Sequence, residues 1–243
     1  LSPQIIGTED AQRAKDACKY DAVDLDMTAK TLNLDVGAVV WATGWQPYDA
    51  NRIDNLGYGR YPNIITNMMM ERLSAPNGPT KGQIQRPSDD KAPESVAFVQ
   101  CAGSRDENHL PYCSYICCMA SLKQATYVRE QFPDAKIYIY YIDIRTPGQR
   151  YEKFYQDIKA DENIFLIKGK VAEVAEDPDT KNITVVAENA VTGEKTRQTV
   201  DMVVLATGMQ PTAATTKLPA DLTFNADGFI VNDFEKGGMF AAG

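Results

Sequence analysis

The chain has 243 residues, 44% of them hydrophobic, with 25 basic against 33 acidic side chains and a formal net charge of −8. That content can bury one large core or two modest ones, and the negative balance leaves no basic stripe to replace counterions along nucleic acid phosphates. No apolar run reaches the length of a membrane span, and five cysteines without a secretory leader point to a reducing, cytoplasmic compartment with no direct membrane insertion.

In chain order, Val36-Gly-Ala-Val-Val-Trp-Ala-Thr-Gly-Trp-Gln-Pro47 reads as a buried strand that ends in Ala-Thr-Gly and exits through Gln-Pro. The pattern returns 164 residues later as Asp201-Met-Val-Val-Leu-Ala-Thr-Gly-Met-Gln-Pro211, so one structural device is used twice. Between the copies, Met68, Met69 and Met70 read as helix packing. Residues 74–93, with Pro76, Pro79, Pro87 and Pro93, read as an exposed connection. Strand 95–100, helix 114–131 with Ser114 as N-cap and Phe132-Pro133 as stop, and strand 135–143 make a βαβ unit with a parallel sheet. A helix over 149–160 follows, then strands near 164–175, 181–189 and 195–205 around a Thr192-Gly193 turn, an antiparallel meander packed on that sheet. Two short strands, 228–231 and 239–243, close the chain.

Four of the five cysteines, Cys101, Cys113, Cys117 and Cys118, fall within 18 residues. Cys101 stands where a dinucleotide fingerprint G-x-G-x-x-G would begin after its strand. Of the six positions Cys101 to Asp106 only Gly103 matches, and Asp106 brings an anion where a diphosphate would lie. The expected fold is therefore that of a nicotinamide domain without its ligand. Cys117 and Cys118 fall in the first turns of the following helix, where the dipole favours thiolates and Lys123 and Arg129 add positive charge. With Cys113 just outside the helix and Cys101 at the strand end, four soft ligands can converge, as an iron–sulfur cube or a tetrahedral zinc requires. A redox-active pair at Cys117-Cys118, and thiols that only pack, are the other readings of the same residues. Cys18 reads as an ordinary free thiol, and His109, the single histidine, as a solvated side chain within hydrogen-bonding range of the site.

The two Ala-Thr-Gly strands and the terminal Phe240-Ala-Ala-Gly243 resemble the flavoproteins related to thioredoxin reductase, in which a nicotinamide-type domain is inserted within an FAD domain. The strings Gln100-Cys-Ala-Gly-Ser-Arg-Asp106, Tyr112-Cys-Ser-Tyr-Ile-Cys-Cys-Met-Ala-Ser-Leu-Lys-Gln-Ala125 and Tyr141-Ile-Asp-Ile-Arg-Thr-Pro-Gly148 are similar to the A-subunit family of heterodisulfide reductase. The similarity is greatest to its branch in the quinone-interacting membrane-bound oxidoreductase of sulfate reducers. The resemblance implies an α/β fold: a Rossmann-like three-layer parallel sheet with an antiparallel β-meander, as an inserted nicotinamide-type domain plus parts of an FAD domain. It divides the chain into a first FAD-domain segment (1–73), a linker (74–93), the inserted domain without its glycine fingerprint (94–211) and a truncated return segment (212–243).

It further implies an oxidoreductase subunit that carries FAD against Thr43, Gly44 and Gly243 and a [4Fe-4S] cluster on Cys101, Cys113, Cys117 and Cys118, with no residue in a proton-abstracting role. Its partners would be other flavin and iron–sulfur subunits of one complex and, through them, a quinone-reactive membrane partner, which would hold it at the inner face of the membrane. The family's amino-terminal FAD fingerprint is missing and the chain begins at Leu1, so the sequence reads as an internal fragment, inactive alone. Two other functions fit the residues: an NAD(P)H-dependent disulfide oxidoreductase using a cysteine pair, and a cofactor-free scaffold.

Overall fold

The computed structural model describes residues 4–216 and 218–231. The chain divides into two compact units, Leu1–Trp41 and Ala42–Gly243.

In the first unit, helix α1 (Glu9–Asp16) opens on Thr8, whose side chain accepts from the Ala11 amide, with acidic residues in the first turn and basic ones in the last. The strand expected over residues 36–42 does not form, and Val36, Val39 and Val40 are exposed. An apolar run becomes a buried strand only where neighbouring strands satisfy its backbone groups. Residues 36–42 take part in no strand pairing among the described residues.

The second unit holds a five-stranded sheet in the order β2 (Ile64–Thr66), β9 (Met202–Thr207), β3 (Ser95–Ala102), β4 (Lys136–Tyr141), β5 (Ile164–Lys168), every neighbouring pair parallel. Successive side chains of a strand point to opposite faces, and both faces here are covered. Val96 and Phe98 of β3, with Met202 and Val204 of β9, meet Met70 of α2 (Asn67–Ser74), Leu122, Ala125 and Val128 of α3 (Cys117–Gln131), and Ile158 of α4 (Gln149–Lys159). On the other face Ala97, Val99, Val203 and Leu205 pack on the antiparallel meander of β6 (Val171–Glu176), β7 (Ile183–Glu188) and β8 (Lys195–Val200). The result is the expected α/β fold: helices, a parallel sheet and a meander in three layers.

Two strands read as continuous are divided. The run 164–175 breaks at Gly169, where a Cβ would stand 2.1 Å from the Glu188 carbonyl oxygen, so only glycine lets the chain pass from β5 to β6. The run 195–205 breaks at Asp201, which sends β8 to the meander and β9 to the parallel sheet. The segment 74–93 is not exposed throughout. Ile84 is 1% exposed within the helix-side core, and Arg86 donates to Asn182 Oδ1 (3.0 Å) and to the Thr180 carbonyl (2.7 Å) on the meander. Since β2 and α2 precede this segment yet lie in the same sheet and helix layer as β3 and α3, it does not separate two packed bodies.

The exits of the two Ala-Thr-Gly copies pair with each other. β1 (Trp45–Pro47) runs antiparallel to β10 (Met209–Pro211), with Trp45 opposite Pro211 and Gln46 opposite Gln210. The expected strand at 228–231 is reduced to one bridge between Phe224 and Ile230, and the one at 239–243 lies outside the described residues.

Candidate metal centre

The site lies at the carboxyl edge of the parallel sheet, between the end of β3 and the start of α3. This edge is where open α/β sheets place their ligands. The pairing of β3 with β9 slips between Val99 and Ala102, and Cys101 within that irregularity takes a left-handed φ of 56°. A bulge re-aims the side chain it contains. In a regular strand Cys101 would share the face of Ala97 and Val99, whereas here it lies beside Cys117, on the side of the helix start. The left-handed backbone of a residue with a Cβ costs about 1–2 kcal/mol, strain of a kind that concentrates at functional positions.

Residues 103–116 fold back as a pinned loop. The Leu110 amide donates to the Gly103 carbonyl (3.2 Å), and the Arg105 amide and the Ser104 hydroxyl both donate to the Tyr112 carbonyl (3.0 and 2.9 Å). The Met209 amide donates to Ser114 Oγ (2.8 Å), and the Tyr112 hydroxyl to the Met209 carbonyl (3.0 Å). Ser114 therefore ties the loop to β10 instead of capping α3, which begins three residues later after Ile116 with no side-chain cap. The first turn of α3 thus has no side-chain cap, and the helix dipole favours negative charge at this end, where Cys117 and Cys118 lie.

One pocket is lined by all four cysteines together with Ser104, Arg105, Ser114, Tyr115, Asp143 and Arg145. Cys101, Cys117 and Cys118 are buried, Cys113 is half-buried, and all are free thiols. Cys117 Sγ donates to the Ala206 carbonyl (3.5 Å), and its place beside Cys101, aided by Arg105, lowers the Cys101 thiol to about 7 against its burial. The neighbouring Cys101, with burial, pushes Cys117 well up. Burial also raises Cys118, whose Sγ donates to Gln100 Oε1 (3.4 Å) and to the Asp143 carbonyl (3.5 Å).

The cations here are not those expected from the helix sequence. Lys123 pairs with Glu71 (3.2 Å) and Arg129 with Asp161 (2.8 Å), both away from the thiols. Arg105, held by Asp143 at 2.9 Å, and Arg145, stacked over the Tyr115 ring at 5.2 Å, line the pocket instead. Both lie in the loops that leave strand ends at the ligand edge, Arg105 after β3 and Arg145 after β4, the one signal in the sequence that could have found them. Gln100 was likewise missed, because a single polar residue in a strand carries no periodic signal.

In donor chemistry the pocket fits an iron–sulfur centre: four thiols, two guanidinium groups and an uncapped helix start face one space. In volume the thiols close on about 10 Å³, room for about one water, so a cluster needs them to move apart. As the side chains stand, no group of three or more His, Cys, Asp or Glu among the described residues is arranged for a single metal ion.

Of the residues expected against FAD, Thr43 is half-buried, and Gly44 has φ 69° with open space where a Cβ would be. Neither lines the cysteine pocket. Gly243 lies outside the described residues. The second copy is enclosed: Thr207 is fully buried and donates to Asn67 Oδ1 (3.2 Å). His109 does not line the thiol pocket, and its Nδ1 hydrogen-bonds the Tyr48 hydroxyl at 2.9 Å. Met70 packs in the core as expected, whereas Met68 and Met69 are exposed, Met68 beside a largely apolar groove of about 700 Å³ that Tyr115, Met119 and Phe154 also line. No described helix is long and apolar enough to cross a membrane.

No protein-family model matches the chain. It is 40% identical over 219 residues to the second iron-sulfur A-subunit of CoB–CoM heterodisulfide reductase in Methanopyrus kandleri, covering 89% of this chain and 33% of that protein. It is 42% identical over 191 residues to the A-subunit of the H2/formate:CoB-CoM heterodisulfide,ferredoxin reductase of Methanococcus maripaludis, covering 78% and 29%. The corresponding values for the A-subunit of the H2:CoB-CoM heterodisulfide,ferredoxin reductase of Methanothermobacter marburgensis are 38% over 224 residues, 91% and 34%. The chain thus spans about a third of the length of these curated relatives. Among solved structures, thioredoxin reductase of T. acidophilum aligns over 83% of this chain and 55% of its own, at 17% identity and a TM-score of 0.49.

Proposed function

Because this chain belongs to the A-subunit family of heterodisulfide reductase, we propose that it is the cluster-bearing piece of a flavin and iron–sulfur electron-transfer protein. The observation that carries the reading is the convergence of Cys101, Cys113, Cys117 and Cys118 on one pocket at the ligand edge of the sheet. These four thiols would hold a [4Fe-4S] cluster, which supplies one-electron transfer when bound. Arg105 and Arg145 offset the charge of the thiolates, and the uncapped start of α3 does the same through the helix dipole. No proton-abstracting residue is needed, because the protein's part is to place the cofactor and tune its potential.

The FAD of the intact subunit would lie against Thr43, Gly44 and Gly243, with the open space at Gly44 in favour of a close approach. The division into FAD-domain segments and an inserted nicotinamide-type domain belongs to the same proposal. The β1–β10 ribbon supports moving its boundaries to about residues 47 and 209. The intact subunit would work in the cytoplasm with other flavin and iron–sulfur subunits. In the quinone-interacting branch it would exchange electrons with a membrane partner and serve sulfate respiration.

The test is iron and acid-labile sulfide analysis, with low-temperature EPR after dithionite reduction, on the full-length protein purified without oxygen. About four iron and four sulfide per chain, lost together in Cys113→Ser, is the expected result. Zinc in place of iron replaces the redox role with a structural one. Nicotinamide-driven thiol turnover without metal turns the reading toward the disulfide oxidoreductase, and unchanged behaviour of Cys113→Ser turns it toward the scaffold.

A further inference from the structure

Gln100 is buried at 5% exposure on β3, and its amide is half used. Oε1 accepts from the Cys118 thiol at 3.4 Å, but Nε2 has no partner. Buried polar groups are nearly always paired, so an orphan donor beside a buried thiol calls for an explanation. We propose that Gln100 is the hydrogen-bond donor to the Cys118 sulfur in the metal-loaded protein, a positioning residue that raises the reduction potential of the centre. The inference rests on the cluster reading above.

The Gln100 side chain lies 3.4 Å from the Cys118 sulfur with one of its two polar ends unpaired. The Cys118 thiol has one proton and two acceptors within reach, Gln100 Oε1 and the Asp143 carbonyl. As a metal-bound thiolate it has no proton to give, and both contacts become acceptor against acceptor. The Asp143 carbonyl is fixed backbone. The amide of Gln100, by contrast, turns about a soft, two-fold terminal torsion. A half-turn exchanges Oε1 for Nε2, gives the orphan N–H a partner and removes the repulsion. A donor to a ligand sulfur favours the form with the extra electron, so it raises the potential. A glutamine serving only as filler would leave the potential where an unbranched apolar side chain of similar length leaves it.

The experiment is an EPR-monitored redox titration of the anaerobically purified full-length protein and of Gln100→Met, with iron counted in both. Pulsed EPR on wild type labelled with 15N in its glutamine side chains accompanies it. The expected result is unchanged iron in Gln100→Met with a reduction equilibrium about tenfold less favourable, a shift of about 59 mV to more negative potential for one electron. A glutamine 15N coupling should appear in the reduced wild type. Iron retained with an unchanged potential overturns the role of Gln100 and leaves the cluster reading intact. If Gln100→Met loses its iron, the labelled wild type decides, and absence of the coupling overturns the proposal. Wild type without iron overturns the cluster reading and this inference with it.

Discussion

Asp201 and Ser95 exchange four hydrogen bonds across the roots of β9 and β3. Asp201 Oδ2 accepts from the Ser95 amide (2.8 Å) and hydroxyl (3.0 Å), while the Asp201 amide donates to Ser95 Oγ and to its carbonyl (both 3.1 Å). The same carboxylate accepts from the Glu94 amide and meets Arg86 at 3.4 Å. The clamp fixes the relative height of the two central strands, whose opposite ends shape the thiol pocket.

Asp201→Ala should therefore cost about 2–4 kcal/mol, because it strands several partly buried donors at once. Chemical denaturation of wild type and variant measures the difference, and a loss below about 0.5 kcal/mol would mean that water replaces the carboxylate without penalty.

The two Ala-Thr-Gly glycines should respond differently to alanine. At Gly208 a Cβ would stand 2.7 Å from Leu110 Cδ1, 3.1 Å from Ser104 Cβ and 3.3 Å from Ser114 Oγ. Gly208→Ala should cost about 1–3 kcal/mol from overpacking and disturb the loop that carries Cys113. Gly44→Ala meets nothing within 4 Å and should cost only about 1–2 kcal/mol, for its left-handed backbone. Melting curves give the energies. Metal content should fall in Gly208→Ala alone.

Arg129 holds Asp161 at 2.8 Å and donates to the Ala135 carbonyl at 3.1 Å. The bond from Arg129, joined by that of the Asn163 amide, keeps the Asp161 carboxyl below its ordinary value in spite of some burial. A carboxyl lowered in the folded state stabilises above its unfolded pKa and loses that contribution as pH falls through the folded one. Arg129→Met should thus be less stable than wild type by about 1–3 kcal/mol at pH 7, with the gap narrowing below pH 4. Denaturant midpoints across that range test the sign, and a gap that widens in acid would refute it.

Removing the metal should leave the sheet folded. Among the described residues neither hydrophobic core includes any of the four pocket cysteines, so burial in both persists without a ligand. Far-UV circular dichroism of the chelator-treated protein should keep its shape, unlike that of a zinc finger, whose fold depends on its metal. Wholesale unfolding on iron removal would show that the thiol pocket is part of the core.

The sequence by itself determined the parts whose signal is local. The period-2 run of 181–187 specified the meander, the apolar runs at 95–100 and 202–206 specified strands covered on both faces, and the crowding of four cysteines about a strand end and a helix start identified the site. Tertiary structure decided what depends on distant partners. The two Ala-Thr-Gly strings are alike in sequence, yet only the second lies between β2 and β3 and becomes a strand. Asp201 inside an extended run looked continuous until its carboxylate met Ser95. The bulge that turns Cys101 toward Cys117 is a slip of register against β9, a strand about a hundred residues away, and the guanidinium groups at the thiols were set by where strand ends converge. Periodicity records which way a side chain faces along its own element, whereas the partner it meets there is chosen by pairing across the sheet.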